Sequence, residues 1–246
     1  MRLRNYHLSY TRRAFSLVEL LAVIAIIGIM GAVIGISMKP NEGSSIQAGQ
    51  RVTASMFQAA RAMATARQTE ARVIIYADGN PDERDSKLLR FIGVVYWQPD
   101  PNDPSSGEWL PGNSGSYLPN NVFYVPSSAA EVAAADGVNS GDILRSSNVP
   151  GGTMTAKFPS SGGGSSGDTW YYYAFDKTGN ARTTGVDGGG NRSFAGDIVV
   201  IGSGRYDPSG GGQVLIENPF ATAGLSIRRV GGTMILNDYD FIKEAL

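Results

Sequence analysis

No cysteine occurs anywhere in the 246 residues, and the single histidine is His7. Without cysteine the chain forms no disulfide, offers no thiolate to a metal and has no thiol nucleophile. With histidine confined to position 7, the rest of the chain lacks the commonest general base. It also lacks the imidazole zinc ligands and the Ser-His-Asp and Cys-His arrangements. These absences argue against an enzyme, and no cofactor is expected. Charge is scarce too: 17% of residues are charged, with 21 Lys and Arg against 22 Asp and Glu. There is no basic stripe and the pI is near 5.9, so no nucleic-acid partner is expected. At this length a single domain of ordinary size can rest on its own apolar core.

Charge is scarcest between Phe15 and Met38, where the only ionisable side chain is Glu19; Arg12 and Arg13 stand before the run and Lys39 after it. At about 1.5 Å per helical residue such a run reaches across a bilayer. A carboxylate inside it costs on the order of a few kcal/mol and needs a partner. A secretory signal peptide would end in an A-x-A-like site, and none stands out after Ile36. A plain signal anchor leaves Glu19 unexplained. Cleavage between Ala14 and Phe15 would instead free an α-amine four residues from Glu19. That cation could neutralise the carboxylate within one helix or across two subunits.

The run AFSLVELLAVIAIIGI resembles the class III signal of type IV pilins and pseudopilins: a small residue, Phe, Ser, Leu, a hydrophobic residue, Glu. Position 14 is Ala where that family nearly always has Gly. The resemblance implies cleavage by a prepilin peptidase between Ala14 and Phe15, N-methylation of Phe15, and an assembly role for Glu19. It implies as partners other pilin or pseudopilin subunits, an inner-membrane assembly platform and membrane lipid. Residues 1–14 would be the leader, 15–39 the transmembrane and assembly helix, and 40–246 the exported domain. The leader holds Arg2, Arg4, Arg12 and Arg13 and no acid. Its removal leaves 17 basic against 22 acidic residues, a net charge of about −5. This asymmetry predicts the N-terminus inside and the C-terminal domain outside; the resemblance implies a single-pass protein of the bacterial inner membrane, with a cytoplasmic N-terminus and a periplasmic C-terminal domain. Gly28, Gly31 and Gly35 lie three and four apart, a spacing that allows close helix packing in a membrane.

Beyond Pro40, which should end or kink the helix, helical periodicity returns. Ile46, Val52, Met56, Ala60 and Met63 form an apolar stripe, with Gln50, Arg51, Arg61 and Arg67 turned elsewhere. This predicts an amphipathic helix over about 45–69 that packs on a sheet. Strand patterns follow at 72–77, 88–97 and 170–175, then in GDIVVIG, QVLIE, SIRRV and TMILN. FDKTGNART reads as a hairpin, and Gly231-Gly232 as a second hairpin turn. Residues 98–121, with five prolines, and 160–168 read as loops. The expectation is an α+β protein with the pilin-like fold: a long N-terminal helix, half in membrane and half packed on antiparallel strands. The stretch 58–78 and the 175–183 hairpin resemble minor pseudopilins of the GspH/FimT type. The long Gly/Ser/Tyr-rich loops resemble pilin-like Verru_Chthon cassette proteins.

Two other constellations carry candidate chemistry. Asp78, Asn80, Asp82 and Asp85 offer alternating oxygens to calcium, without EF-hand spacing; a solvated turn is the better reading, and no metal is assigned. Trp170 with Tyr171, Tyr172 and Tyr173 suggests a sugar platform, but strand alternation lets at most two of the four share a face, which favours packing. The expected function is a structural pseudopilin, a minor one, of a type II secretion or type IV pilus-like filament. The rivals are a major pilin of a surface fibre and a signal-anchored extracytoplasmic binding module.

Overall fold

The computed structural model describes residues 17–37, 42–77, 87–103, 106–127, 130–146, 153–156, 158, 167–182, 197–209 and 212–246. The chain divides into two compact units, Met1–Asn41 and Glu42–Leu246, which are taken separately. The first contains α1 (Leu17–Ser37). The second begins with α2 (Glu42–Arg67). Residues 38–41, where the expected break at Pro40 falls, lie outside the described residues.

α2 is built from good helix formers, chiefly Ala, Gln, Arg and Met. It ends where Gln68 turns left-handed (φ 55°) and the Thr69 amide donates to the Ala64 carbonyl at 3.2 Å. That bond satisfies a terminal carbonyl as a Schellman turn does, here without glycine. The buried stripe runs through Ile46, Gly49, Gln50, Thr53, Phe57, Ala60 and Ala64. It is rotated from the expected one: Val52, Met56 and Met63 flank it, half-buried, and Gln50, expected outward, is inside. The Gln50 Nε2 donates to the carbonyls of Gly224 (2.7 Å) and Leu236 (3.0 Å), so its burial leaves no amide donor stranded.

Two antiparallel-based sheets meet α2. The first has seven strands: β1 (Ala71–Tyr76), β2 (Phe91–Pro99), β3 (Gly107–Pro111), β4 (Ser116–Tyr117), β7 (Thr153–Ala156), β8 (Asp168–Phe175) and β9 (Ala181–Arg182). Its order is β3-β2-β1-β8-β7, with β4 also on β2 and β9 on β8. The second has five: β5 (Val122–Tyr124), β6 (Val132–Ala134), β10 (Asp197–Asp207), β11 (Gln213–Ile227) and β12 (Thr233–Leu236), in the order β12-β11-β10-β5 with β6 parallel to β11. A short helix, α3 (Tyr239–Ala245), closes the chain; Asp238 caps it by accepting from the Asp240 amide at 2.8 Å.

Several expectations change here. The loop expected over 98–121 contains β3 and β4, because Trp109 and Leu110 pair with Trp97 and Tyr96. The two strands QVLIE and SIRRV are one long strand, β11. It stays paired to β10 because Asn218–Thr222 bulges: Gly202 opposes Thr222 while the next residue, Ser203, opposes Asn218. Pro219 sits inside that bulge, where a missing amide breaks no ladder bond. The final hairpin turn spans Arg228 to Gly232, with the Arg228 amide donating to the Gly232 carbonyl at 2.8 Å, so it is longer than two residues.

The main core lies between α2 and the inner faces of both sheets, around Phe57, Val73, Ile75, Val94, Phe123, Tyr124, Tyr173, Phe175, Val199, Val200, Ile216 and Leu225. A second cluster covers the other face of the first sheet: Ile74, Tyr76, Phe91, Val95, Met154, Phe158 and Trp170. β1, β2 and β8 are thus buried on both faces, which is why they read as continuous apolar runs rather than alternating ones. The two sheets are joined by backbone bonds, Tyr124 amide to Leu89 carbonyl (2.8 Å) and Ala181 amide to Arg229 carbonyl (2.9 Å).

Candidate functional site

α1 has no polar face. Its sequence from Leu17 to Ser37 carries one charge, Glu19, in the first turn. Leu17, Val18, Leu20, Leu21, Val23, Ile24, Ile26 and Ile27 point round the whole circumference, and each is between 49% and 79% exposed. A helix apolar on all sides is stable only when lipid or other helices surround it. Glu19 is exposed on the same turn, where the helix N-terminus favours a carboxylate. A side chain added at Gly28 would meet nothing within 4 Å, so a neighbouring helix has room to approach there. Gly31 and Gly35 lie on the helical backbone, but their surroundings lie outside the described residues, as do Ala14 and Phe15 entirely. Among the described residues no helix is long and apolar enough to cross a membrane; the side chains described in α1 stop at Gly28, twelve residues into its 21.

The candidate calcium loop, Asp78, Asn80, Asp82 and Asp85, lies outside the described residues. Among those described, no group of three or more His, Asp or Glu side chains is placed to hold a metal ion.

The aromatic run on β8 divides between the two faces of the sheet. Trp170 is fully buried in the outer cluster, with its Nε1 donating to the Ala156 carbonyl at 3.0 Å. Tyr171 and Tyr173 turn inward. The Tyr173 and Tyr124 hydroxyls lie 2.8 Å apart, and the Tyr171 hydroxyl donates to the Glu131 carboxylate at 2.8 Å. Burial pushes the Tyr124 and Tyr173 phenols well above their ordinary range, so both stay protonated. Trp170 is therefore not a surface platform, since its ring packs against Tyr76, Phe91 and Phe158.

Tyr172, half-buried on the outer face, does reach a feature the linear pattern hides. The Arg72 guanidinium lies 4.1 Å from the Tyr172 ring centre and 4.0 Å from that of Trp109, and its Nε donates to Glu70 at 2.7 Å. Trp109 in turn meets Trp97, ring centres 5.3 Å apart. The sequence hides this ladder because its members come from β8, β1, β3 and β2, and β3 lies in a stretch whose prolines read as loop.

Against known proteins, residues 10–35 match the family model described as the prokaryotic N-terminal methylation motif. No curated protein and no solved structure matches the chain. Residues 10–35 thus carry a type IV pilin-like prepilin motif, the signal for N-terminal cleavage and methylation.

Proposed function

We propose that the chain is a pseudopilin: a structural subunit cut between Ala14 and Phe15 by a prepilin peptidase, N-methylated on Phe15 and packed through its apolar helix into a filament. The observation that carries this reading is the pairing of the methylation motif at 10–35 with a helix apolar on every side except at Glu19. Before assembly the exposed aliphatic side chains of α1 sit in the inner membrane, with the Glu42–Leu246 unit on the periplasmic side. On assembly they exchange lipid for neighbouring helices. Glu19 then meets the methylated Phe15 amine of an adjacent subunit, a cation that exists only after processing. Methylation keeps that charge while adding bulk.

The absence of cysteine and of histidine beyond His7 supports a structural role over catalysis. A minor subunit of the GspH/FimT type in a type II secretion or type IV pilus-like machine fits the α+β unit, its pilin-like order of helix then strands, and its β8–β9 hairpin. The rival binding module with an exposed Trp170 loses its platform, because that ring is buried.

The test is the intact mass and N-terminal sequence of the membrane-extracted protein, with and without a prepilin peptidase. The expected product begins at methylated Phe15; an intact Met1, or a cut beyond Ile36, overturns the reading. Glu19→Val is expected to leave cleavage intact and to abolish incorporation into filaments. Normal incorporation of that variant would sink the charge-pairing mechanism.

A further inference from the structure

The Glu42–Leu246 unit holds four methionines: Met56, Met63, Met154 and Met234. Met234 is the exposed one, at 42%. Met154 is buried at 8% in the outer cluster of the first sheet. Met56 and Met63 are half-buried along α2, and the Met56 sulfur accepts from the Asn113 Nδ2 at 3.2 Å. Oxidation of a thioether needs an encounter between sulfur and oxidant, so it follows exposure. Met234 is therefore the sulfur of this unit most open to attack.

Met234 also carries a cation on its sulfur. The Arg228 Nη2 donates to the Met234 Sδ at 3.5 Å. The register of the last hairpin places this pair. The Arg228 amide donates to the Gly232 carbonyl, and Met234 opposes Ser226. With side chains alternating between faces, Ser226 and Arg228 share one face of the hairpin with Gly232 and Met234. Arg228 and Met234 are then diagonal neighbours across the two strands, a spacing that long side chains span. Met154 has the same kind of partner, the Arg72 Nη1 at 3.6 Å. The two sulfurs thus differ in access rather than in chemistry.

We propose that Met234 is an oxidation site: it takes one oxygen atom from a hydroperoxide, hydrogen peroxide being the simplest, and becomes methionine sulfoxide, with the Arg228 guanidinium as donor to the new oxygen. A sulfur lone pair attacks the nearer peroxide oxygen, so a sulfur–oxygen bond forms and the oxygen–oxygen bond breaks. The sulfur gives up two electrons. The departing oxygen receives them, takes the proton of the transferred oxygen and leaves as water. The sulfoxide oxygen is a strong acceptor, and a charged N–H donor already stands beside it. Oxidation here adds a polar group without stranding it. The guanidinium also lies on one side of a sulfur that becomes chiral, so its two faces are unequal and one sulfoxide epimer predominates. The site is independent of the N-terminal processing proposed above, and either can fail alone.

The experiment treats the full chain, in peroxide-free detergent, with hydrogen peroxide and follows each methionine by peptide mapping and mass spectrometry. Met234 is expected to gain oxygen first, about tenfold faster than buried Met154. The digested peptides are then offered separately to the two methionine sulfoxide reductases, each of which reduces one epimer. One reductase should clear most of the Met234 sulfoxide. In Arg228→Ala the two should clear it about equally, and an unchanged melting temperature of that variant shows that it folds. Arg228→Lys, which keeps a cationic donor, should retain an excess of one epimer. The proposal is overturned if Met56, Met63 or Met154 is oxidised ahead of Met234, if the unsubstituted protein yields equal epimers, or if Arg228→Ala leaves the excess unchanged.

Discussion

Asp176 shows how one carboxylate can organise a turn. It follows β8, and one of its oxygens accepts from the Thr178 amide (2.9 Å), the Thr178 hydroxyl and the Asn180 amide (3.1 Å). Partial burial works to raise its pKa, but these donors and Arg182 nearby outweigh burial and hold the carboxyl below the ordinary aspartate range. Because the folded pKa is depressed, the unfolded chain binds the proton more readily. The contribution is therefore complete above the unfolded aspartate pKa and is lost as pH falls through the folded value. Asp176→Ala should lower the melting temperature near neutral pH, and the gap from the unsubstituted protein should close on acidification. A gap that stays constant down to strongly acidic pH would contradict this account. The DKTGN pattern announced the turn in the sequence, since Asp, Gly and Asn favour it; the carboxylate's three donors did not follow from the pattern.

At the scale of elements, α2 was readable as a helix but its buried face was not. A polar Gln50 reads as solvent-facing, and Phe57, the bulkiest apolar residue in α2, was missing from the expected stripe. What rotates the helix is the sheet beneath it: Phe57 packs on Tyr173 and Phe175, and Gln50 reaches carbonyls on β11 and β12 more than 170 residues away. Replacing Gln50 with Leu would leave those two carbonyls short of a donor, at a cost of about 1–3 kcal/mol. For a domain of this size that is a fall in melting temperature of roughly 2–4 °C per kcal/mol. An unchanged melting temperature in Gln50→Leu would show that the two bonds do not tie α2 to the second sheet. β3 falls in the stretch whose prolines suggest a loop, and β11 reads as two strands rather than one. Pro111 ends an edge strand and Pro219 lies in a bulge, the two places a sheet accepts proline.

For the molecule as a whole, the chain divides at Asn41 and Glu42 into two compact units. The second unit has its own core and bridged sheets, so a variant lacking residues 1–41 should fold, stay dispersed without detergent and keep the melting profile of the full chain. The full chain should need detergent, because the aliphatic side chains of α1 are uncovered on every side. Aggregation of the shortened variant, measured by gel filtration and light scattering, would show that the second unit depends on the N-terminal segment.

The sequence by itself determined the processing signal, the apolar helix and the α+β class. Each rests on local information: residue type, spacing and the absence of whole side-chain classes. Only tertiary structure decided that Trp170 is core, that Gln50 is a buried tie, and that Arg72, Trp97, Trp109 and Tyr172 stand together on the outer face of the first sheet. Those four residues come from four strands, and strand pairing across long separations is set by the packing of the whole sheet, which no local period records.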